Sequence, residues 1–353
     1  MASLATEYRP TAFNEVVGQE HIKAILQSQL DSREFKNAYL FVGGAGTGKT
    51  TTARIVANEI NQHRGNPIEI DGASNNGVEN VRNIIEDCKY KSLDSQYKIY
   101  IIDECHMLST GAWNAMLKVL EEPPKDTVFI LCTTDPQKIP ATILSRVQRF
   151  DFRRIPIDQI VERLKLILAY EDEKILENGG PDGALRDGME EAALEYIAKL
   201  ADGGMRDSIT MLDKVLGYTS EVTMENVIEA LGAPDYSKFI ALLRHILYSE
   251  LKPMIELIEE FHMSGKDLKL IMRNFCDFVL DVCKYIATKN LTLTAVPDMF
   301  KEELDKLIEQ ADYDFFLYVL DEMSKLNSVI KWEPNAKPII QATFLLLTKE
   351  DDE

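Results

Sequence analysis

The run Gly43-Gly44-Ala45-Gly46-Thr47-Gly48-Lys49-Thr50 narrows the choice of fold more than any other stretch of this chain. It fits G-x4-G-K-[ST]. It follows five apolar residues, Ala38 to Val42, and opens a helical pattern that runs from Thr50 to Ile60. Strand, glycine loop and helix in that order make a phosphate cradle. Backbone N–H groups converge on phosphate oxygens, and the helix adds its positive end. Side chains would block that approach, so glycines are needed. Lys49 then reaches the β- and γ-phosphates, and Thr50 ligates Mg2+. The loop residues Gly43, Gly44, Ala45, Gly46, Thr47 and Gly48, with Thr51 behind them, form the rest of the cradle.

Four short apolar runs of strand length lie in the first 155 residues: Ala38 to Val42, Ile68 to Ile70, Ile99 to Ile102 and Val128 to Leu131. Helical patterns alternate with them, at Thr50 to Ile60, Val78 to Lys89 and Gly111 to Glu122. Alternation of this kind predicts a parallel sheet between helices. Ligands on such sheets sit beyond the carboxyl ends of the strands. After Ile155-Pro156 the strand signal stops and apolar spacing becomes helical. Gly179-Gly180-Pro181 and Gly203-Gly204 punctuate it. The expected organisation is an α/β P-loop core over 1–155, an all-α lid over 156–218, an all-α collar over 219–348 and an acidic tail at 349–353.

Composition narrows the class. A chain of 353 residues that is 45% hydrophobic and 27% charged is neither disordered nor fibrous. Its apolar runs are far shorter than the ~20 residues of a membrane helix. No secretory pattern opens the chain, which points to the cytosol. Its five cysteines, Cys88, Cys105, Cys132, Cys276 and Cys283, show no metal-ligand spacing and read as reduced thiols. The net charge is −19, of which residues 1–152 carry −3 and the rest −16. An acidic chain repels nucleic acid at long range, so any DNA contact is local or shared with other subunits.

Two further strand ends carry chemistry. Ile99 to Ile102 delivers Asp103 and Glu104 to the edge of the sheet. Asp103 is placed to hold Mg2+, mostly through water. Glu104 is placed to orient or deprotonate a water. His106 has two readings, a ligand or an internal hydrogen-bonding residue, and the second is the commoner. Cys105 reads as packing. Val128 to Leu131 ends in Cys132-Thr133-Thr134-Asp135, where Thr134, or Thr133 in its place, can bond the water or the γ-phosphate. Arg146 and Arg206 could each stabilise charge at a γ-phosphate. Position alone does not separate that role from a surface ion pair.

Tyr8-Arg9-Pro10, Val16-Val17-Gly18-Gln19-Glu20-His21, the P-loop, Ile70-Asp71-Gly72-Ala73-Ser74-Asn75-Asn76-Gly77-Val78, Asp103-Glu104-Cys105-His106-Met107-Leu108, Leu117 to Pro124, Thr133 to Pro140 and Gly203-Gly204-Met205-Arg206-Asp207 occur in this order. Together, from Glu7 through about Leu347, they resemble the gamma/tau subunits of bacterial DNA polymerase III, the motors of sliding-clamp loaders. The resemblance implies an AAA+ ATPase core, a helical lid and a helical collar. It makes Arg146 an arginine finger on the next subunit's ATP, and Thr134 and Arg206 the two sensors. Tyr8, Arg9, Val16 and Val17 would border the adenine. Asn75 and Asn76 could offer amides to DNA phosphate. The implied cofactors are ATP and Mg2+. The implied partners are a sliding clamp, primer–template DNA and other loader subunits, copies of this chain among them, in a pentameric arc. No membrane is involved.

The chain departs from the family pattern in places. The family usually inserts a four-cysteine zinc module after the P-loop helix. Here Asn61 to Pro67 bridges that gap without cysteine, so no zinc is expected. Ser145-Arg146-Val147 stands for Ser-Arg-Cys, and Glu-Cys-His for Glu-Val-His. The chain also ends after the collar, without the extension of the long form. The implied location is the bacterial cytosol, with a phage replisome as an alternative origin. Two other functions compete with a clamp-loading motor. A non-hydrolysing scaffold subunit would lack Lys49, Thr50 or Glu104, and all three are present. A motor on another DNA or protein substrate would carry pore loops or a basic winged helix, whereas the second half here is helical and acidic.

Overall fold

The computed structural model describes residues 3–180, 183, 185, 187–263, 265 and 267–348. Pro181 and the expected acidic tail at 349–353 lie outside the described residues. The described residues pack as two compact units. One gathers 1–182 with 201–213, and the other gathers 183–200 with 214–353.

The first unit opens with helix α1 (Leu4–Glu7) and α2 (Glu20–Ser32). Then come β1 (Ala38–Val42), α3 (Lys49–Ile60), β2 (Ile68–Asp71), α4 (Val78–Asp87), β3 (Lys98–Asp103), α5 (Thr110–Glu121), β4 (Thr127–Thr133), α6 (Ala141–Leu144), β5 (Gln148–Asp151) and α7 (Ile157–Glu177). The five strands form one parallel sheet in the order β2-β3-β4-β1-β5. Central strands buried on both faces read as unbroken apolar runs, and every residue of β1 and β4 is buried. One face packs against α2 and α3 through Ile22, Leu26, Ala53 and Val56. The other packs against α4 and α5 through Val81, Trp113 and Met116. This is the expected parallel α/β core.

The sequence reading found four of the five strands. β5 reads Gln148-Arg149-Phe150-Asp151, with Phe150 its one buried residue. An edge strand needs only one covered face, and its hydrogen bonds to β1 hold it without an apolar run. Register is what assembles the site. Val42 pairs with Thr133, and Asp71 with Asp103. The ends of four strands therefore finish at one edge, immediately before the P-loop.

The second unit is helical. It contains α8 (Glu191–Leu200), α10 (Met224–Leu231), α11 (Tyr236–Leu247), α12 (Leu251–Met263), α13 (Leu268–Thr288), α14 (Lys301–Ile308), α15 (Tyr313–Ile330) and α16 (Lys337–Leu347). Helix α9 (Met205–Tyr218) starts in the first unit. Phe239, Phe275, Phe278 and Phe344 are fully buried and meet ring to ring. Helix starts are capped: Thr223, Asp235 and Asp267 accept from the amides of Asn226, Lys238 and Lys269. Helix α14 carries a weak apolar pattern: its eight residues include five charges and bury only Leu304 and Leu307. A single parallel bridge, Met189 with Val222, is the only pairing outside the sheet among the described residues.

Candidate functional site

The loop Gly43–Gly48 leaves β1 and turns into α3, with Gly48 at the helix start. Gly46 and Gly48 sit at φ +69° and +98°, which only glycine adopts without strain. A Cβ on Gly46 would lie 3.0 Å from the Gly204 backbone. The start of α9 is in fact bonded to the loop, Met205 N–H donating to the Gly46 carbonyl at 3.0 Å.

Beside this loop lies a cavity of about 270 Å³ within the first unit. Tyr8, Arg9, Val16, Val17, Ala45, Gly46, Thr47, Gly48, Lys49, Thr50, Thr51, Asp103, Glu104 and Arg206 all line it. Gly43 and Gly44 stand just behind. Their carbonyls accept from Lys49 Nζ at 2.9 and 2.7 Å. Burial holds the Lys49 ammonium below its usual pKa, while Glu104 and Asp103 pull it back up. Thr50 Oγ1 donates to Asp103 Oδ2 at 2.7 Å. That hydroxyl–carboxylate pair is an oxygen-only donor set suited to Mg2+. The loop's open backbone, the helix start and a buried lysine likewise fit a triphosphate.

Glu104 follows β3 at φ +44°, in the left-handed region, and donates its N–H to Asp103 Oδ1 at 3.0 Å. Thr134 Oγ1 donates to Glu104 Oε2 at 3.1 Å. Thr133 is buried and faces His106 instead, with Oγ1 3.1 Å from Nδ1. Of the two threonines, Thr134 is thus the one at the carboxylate. His106 forms internal contacts, and Cys105 is buried, its thiol pKa raised by that burial.

Arg206 is the second residue of α9 and joins the cavity wall. Arg146 does not line this cavity. Its guanidinium pairs with Glu121 of α5 and donates to the Thr142 carbonyl. Asn75 and Asn76 also lie outside the cavity. They precede α4 rather than open it, because Gly77 holds the N-cap position. The Asn75 amide donates to the Asp71 carbonyl at 3.1 Å, and the Asn76 carbonyl accepts from Ser109 N–H.

Two participants escaped the sequence reading. Arg163 of α7 lines the cavity and donates to the Tyr8 carbonyl at 3.0 Å. Nothing in its helical pattern marks it out. Gln19 is buried at φ +59°, donates Nε2 to the Arg153 carbonyl at 2.6 Å and accepts from Arg153 N–H at 3.0 Å. Its place in Val16-Val17-Gly18-Gln19-Glu20-His21 does not by itself mark that bridging role. Tyr8 itself is held by a hydroxyl bond to Glu171 at 2.5 Å and by stacking on Tyr170.

A family model described as DNA polymerase III, delta subunit, matches residues 68–156. The chain is 36% identical to the DNA polymerase III subunit tau of Bacillus subtilis over 351 residues, covering 92% of this chain and 59% of that protein. It is 33% identical to the Escherichia coli subunit tau over 291 residues, covering 76% and 43%. Against the Mycoplasma genitalium subunit gamma/tau it is 31% identical over 340 residues, covering 90% and 54%. The chain thus spans about half the length of these relatives. A solved structure, the Thermotoga maritima RuvB Holliday junction branch migration motor, aligns at TM-score 0.49 and 21% identity, covering 68% of this chain and 79% of that one. Over most of its length the chain is a homologue of the DNA polymerase III gamma/tau subunits.

Proposed function

We propose that this chain is an ATPase motor subunit of a sliding-clamp loader, which uses ATP binding and hydrolysis to open a clamp and load it at primer–template junctions during DNA replication. The observation that carries the reading is one cavity shared by Lys49, Thr50, Asp103, Glu104 and Arg206, in a chain homologous to gamma/tau subunits. In this reading residues 1–155 are the AAA+ core, 156–218 the lid and 219–348 the collar. The partners are the clamp, primed DNA and other loader subunits in a pentameric arc.

The residues divide the work. Loop amides and the α3 start bind phosphate. Lys49 supplies positive charge to the β- and γ-phosphate oxygens. Thr50 and Asp103 hold Mg2+, which supplies charge neutralisation at the phosphates. Glu104, braced by Thr134, orients and deprotonates the attacking water. Arg206 adds positive charge from the start of α9. Tyr8, Arg9, Val16 and Val17 border the base. Arg146, outside its own cavity, serves the nucleotide of a neighbouring subunit. Asn75 and Asn76 offer the weakest element, a local DNA contact.

The test is steady-state ATP hydrolysis with and without candidate clamp and primed DNA. Clamp and DNA should stimulate the wild type. Glu104→Gln should bind ATP and lower turnover about 10²-fold or more, the scale of a lost general base. Wild-type turnover by Glu104→Gln would refute the reading.

A further inference from the structure

We propose that His106 is a positioning residue for Glu104, its Nδ1–H orienting the carboxylate that acts on water. The inference rests on the reading of Glu104 as the base. The side chain of His106 keeps only 11% of its surface, whereas that of Glu104 keeps 39%. His106 lies on a short 3-10 turn, Cys105–Met107, directly after Glu104. Its Nδ1 stands 3.2 Å from Glu104 Oε2 and 3.1 Å from Thr133 Oγ1. Thr133 Oγ1 already accepts the Asp135 N–H at 3.0 Å.

Thr133 Oγ1 can pair with either tautomer, so it is the carboxylate that favours a proton on Nδ1. A bare Nδ1 would set its lone pair against carboxylate lone pairs at 3.2 Å, which is repulsive. A proton on Nδ1 faces two oxygens and is attracted to both. Oε2 of Glu104 then accepts the Thr134 hydroxyl and has the Nδ1 proton of His106 beside it at 3.2 Å as an electrostatic neighbour. Oε1 has no protein donor among the described residues, which leaves it as the oxygen for water. The two groups come from different elements, the turn after β3 and the end of β4, so the Thr134 hydrogen bond and the His106 proton bias both the position and the rotation of the carboxylate. A base so held meets its water in one geometry.

Two measurements on the full chain decide the matter. In a nitrogen-15 histidine spectrum, His106 should be the Nδ1–H tautomer; an Nε2–H tautomer would overturn the proposal whether or not the chain alone hydrolyses ATP. The second measurement compares His106→Asn, whose amide can stand where Nδ1 stands, with His106→Gln, whose amide reaches the Nε2 end. His106→Gln should lose about ten- to hundredfold in kcat with MgATP, the scale of a misplaced reactive group. Its Kd for ATP should stay within about twofold, and His106→Asn should keep kcat within about threefold. Equal kcat for the two variants, or a loss confined to Kd, would overturn the positioning role. Glu104→Gln separates the two levels. If it is dead while His106→Gln is fully active, only the His106 proposal fails; if it is active, the reading of Glu104 fails first.

Discussion

Lys49 shows how far one residue can be read from a motif. Its place in G-x4-G-K-[ST] announces a phosphate contact, but not its bonds to the loop's own carbonyls. The fold turns it back onto Gly43 and Gly44 and buries it, which lowers its pKa. Replacing it should weaken ATP binding by about 2–3 kcal/mol, the upper range for a hydrogen bond to a charged group, or about 30- to 150-fold. Equilibrium binding of a fluorescent ATP analogue to Lys49→Ala measures this, and unchanged affinity would refute it. The lowered pKa also predicts a pH effect. Between the lowered folded value and the ordinary lysine value of 10.5 the unfolded chain holds more protons than the native one. Stability therefore rises with pH across that window. The nucleotide-free melting temperature of Lys49→Met relative to wild type should accordingly be highest near neutrality and fall as pH approaches 10. A difference constant from pH 7 to 10 would contradict the burial argument. Thr134 and Arg206 were legible only as residues at a strand end and a helix start. The backbone turns after β4 and before α9 bring one to Glu104 and the other to the cavity.

At the scale of elements, strands and helices with strong apolar patterns could be read directly, and weakly patterned ones could not. β1, β3 and β4 are central and buried on both faces, so sequence showed them plainly. β5 and α14 bury one or two side chains each, and their pairing partners hold them in place. The helix caps carry clear local chemistry. Asp267 has extended backbone and accepts the Lys269 N–H at 3.0 Å, so it starts α13, a helix of 21 residues that buries Phe275, Phe278 and Val282. Asp267→Ala should destabilise the chain by about 1 kcal/mol, the usual loss for an N-cap. Urea denaturation followed by far-ultraviolet circular dichroism reads that loss. A variant as stable as wild type would mean that another group caps α13.

At the scale of the whole molecule, the charge asymmetry and the position of Arg146 bear on assembly. Residues 153–353 carry a net charge of −16, which suits a region that packs with other subunits more than one that follows DNA. Arg146 is paired with Glu121 and does not line the chain's own cavity, so its proposed role on a neighbour's nucleotide rests on the resemblance and on the following test. Arg146→Ala should keep ATP affinity and lose hydrolysis stimulated by clamp and DNA by about 10³-fold or more, as for supplied arginines elsewhere. Mixing Arg146→Ala with Glu104→Gln chains should restore partial turnover, because some interfaces then join an intact Arg146 to an intact Glu104. A mixture as inactive as its parts would place Arg146 in its own site. Sequence pattern alone sufficed for the α/β core, the phosphate loop and the acidic pair, because a strand buried on both faces and a backbone cradle each demand particular residue types at fixed spacing. Which threonine meets Glu104, where Arg206 and Arg163 point, and how His106 is held depend on strand register and on turns between residues distant along the chain. Those are set by packing, which no local pattern encodes.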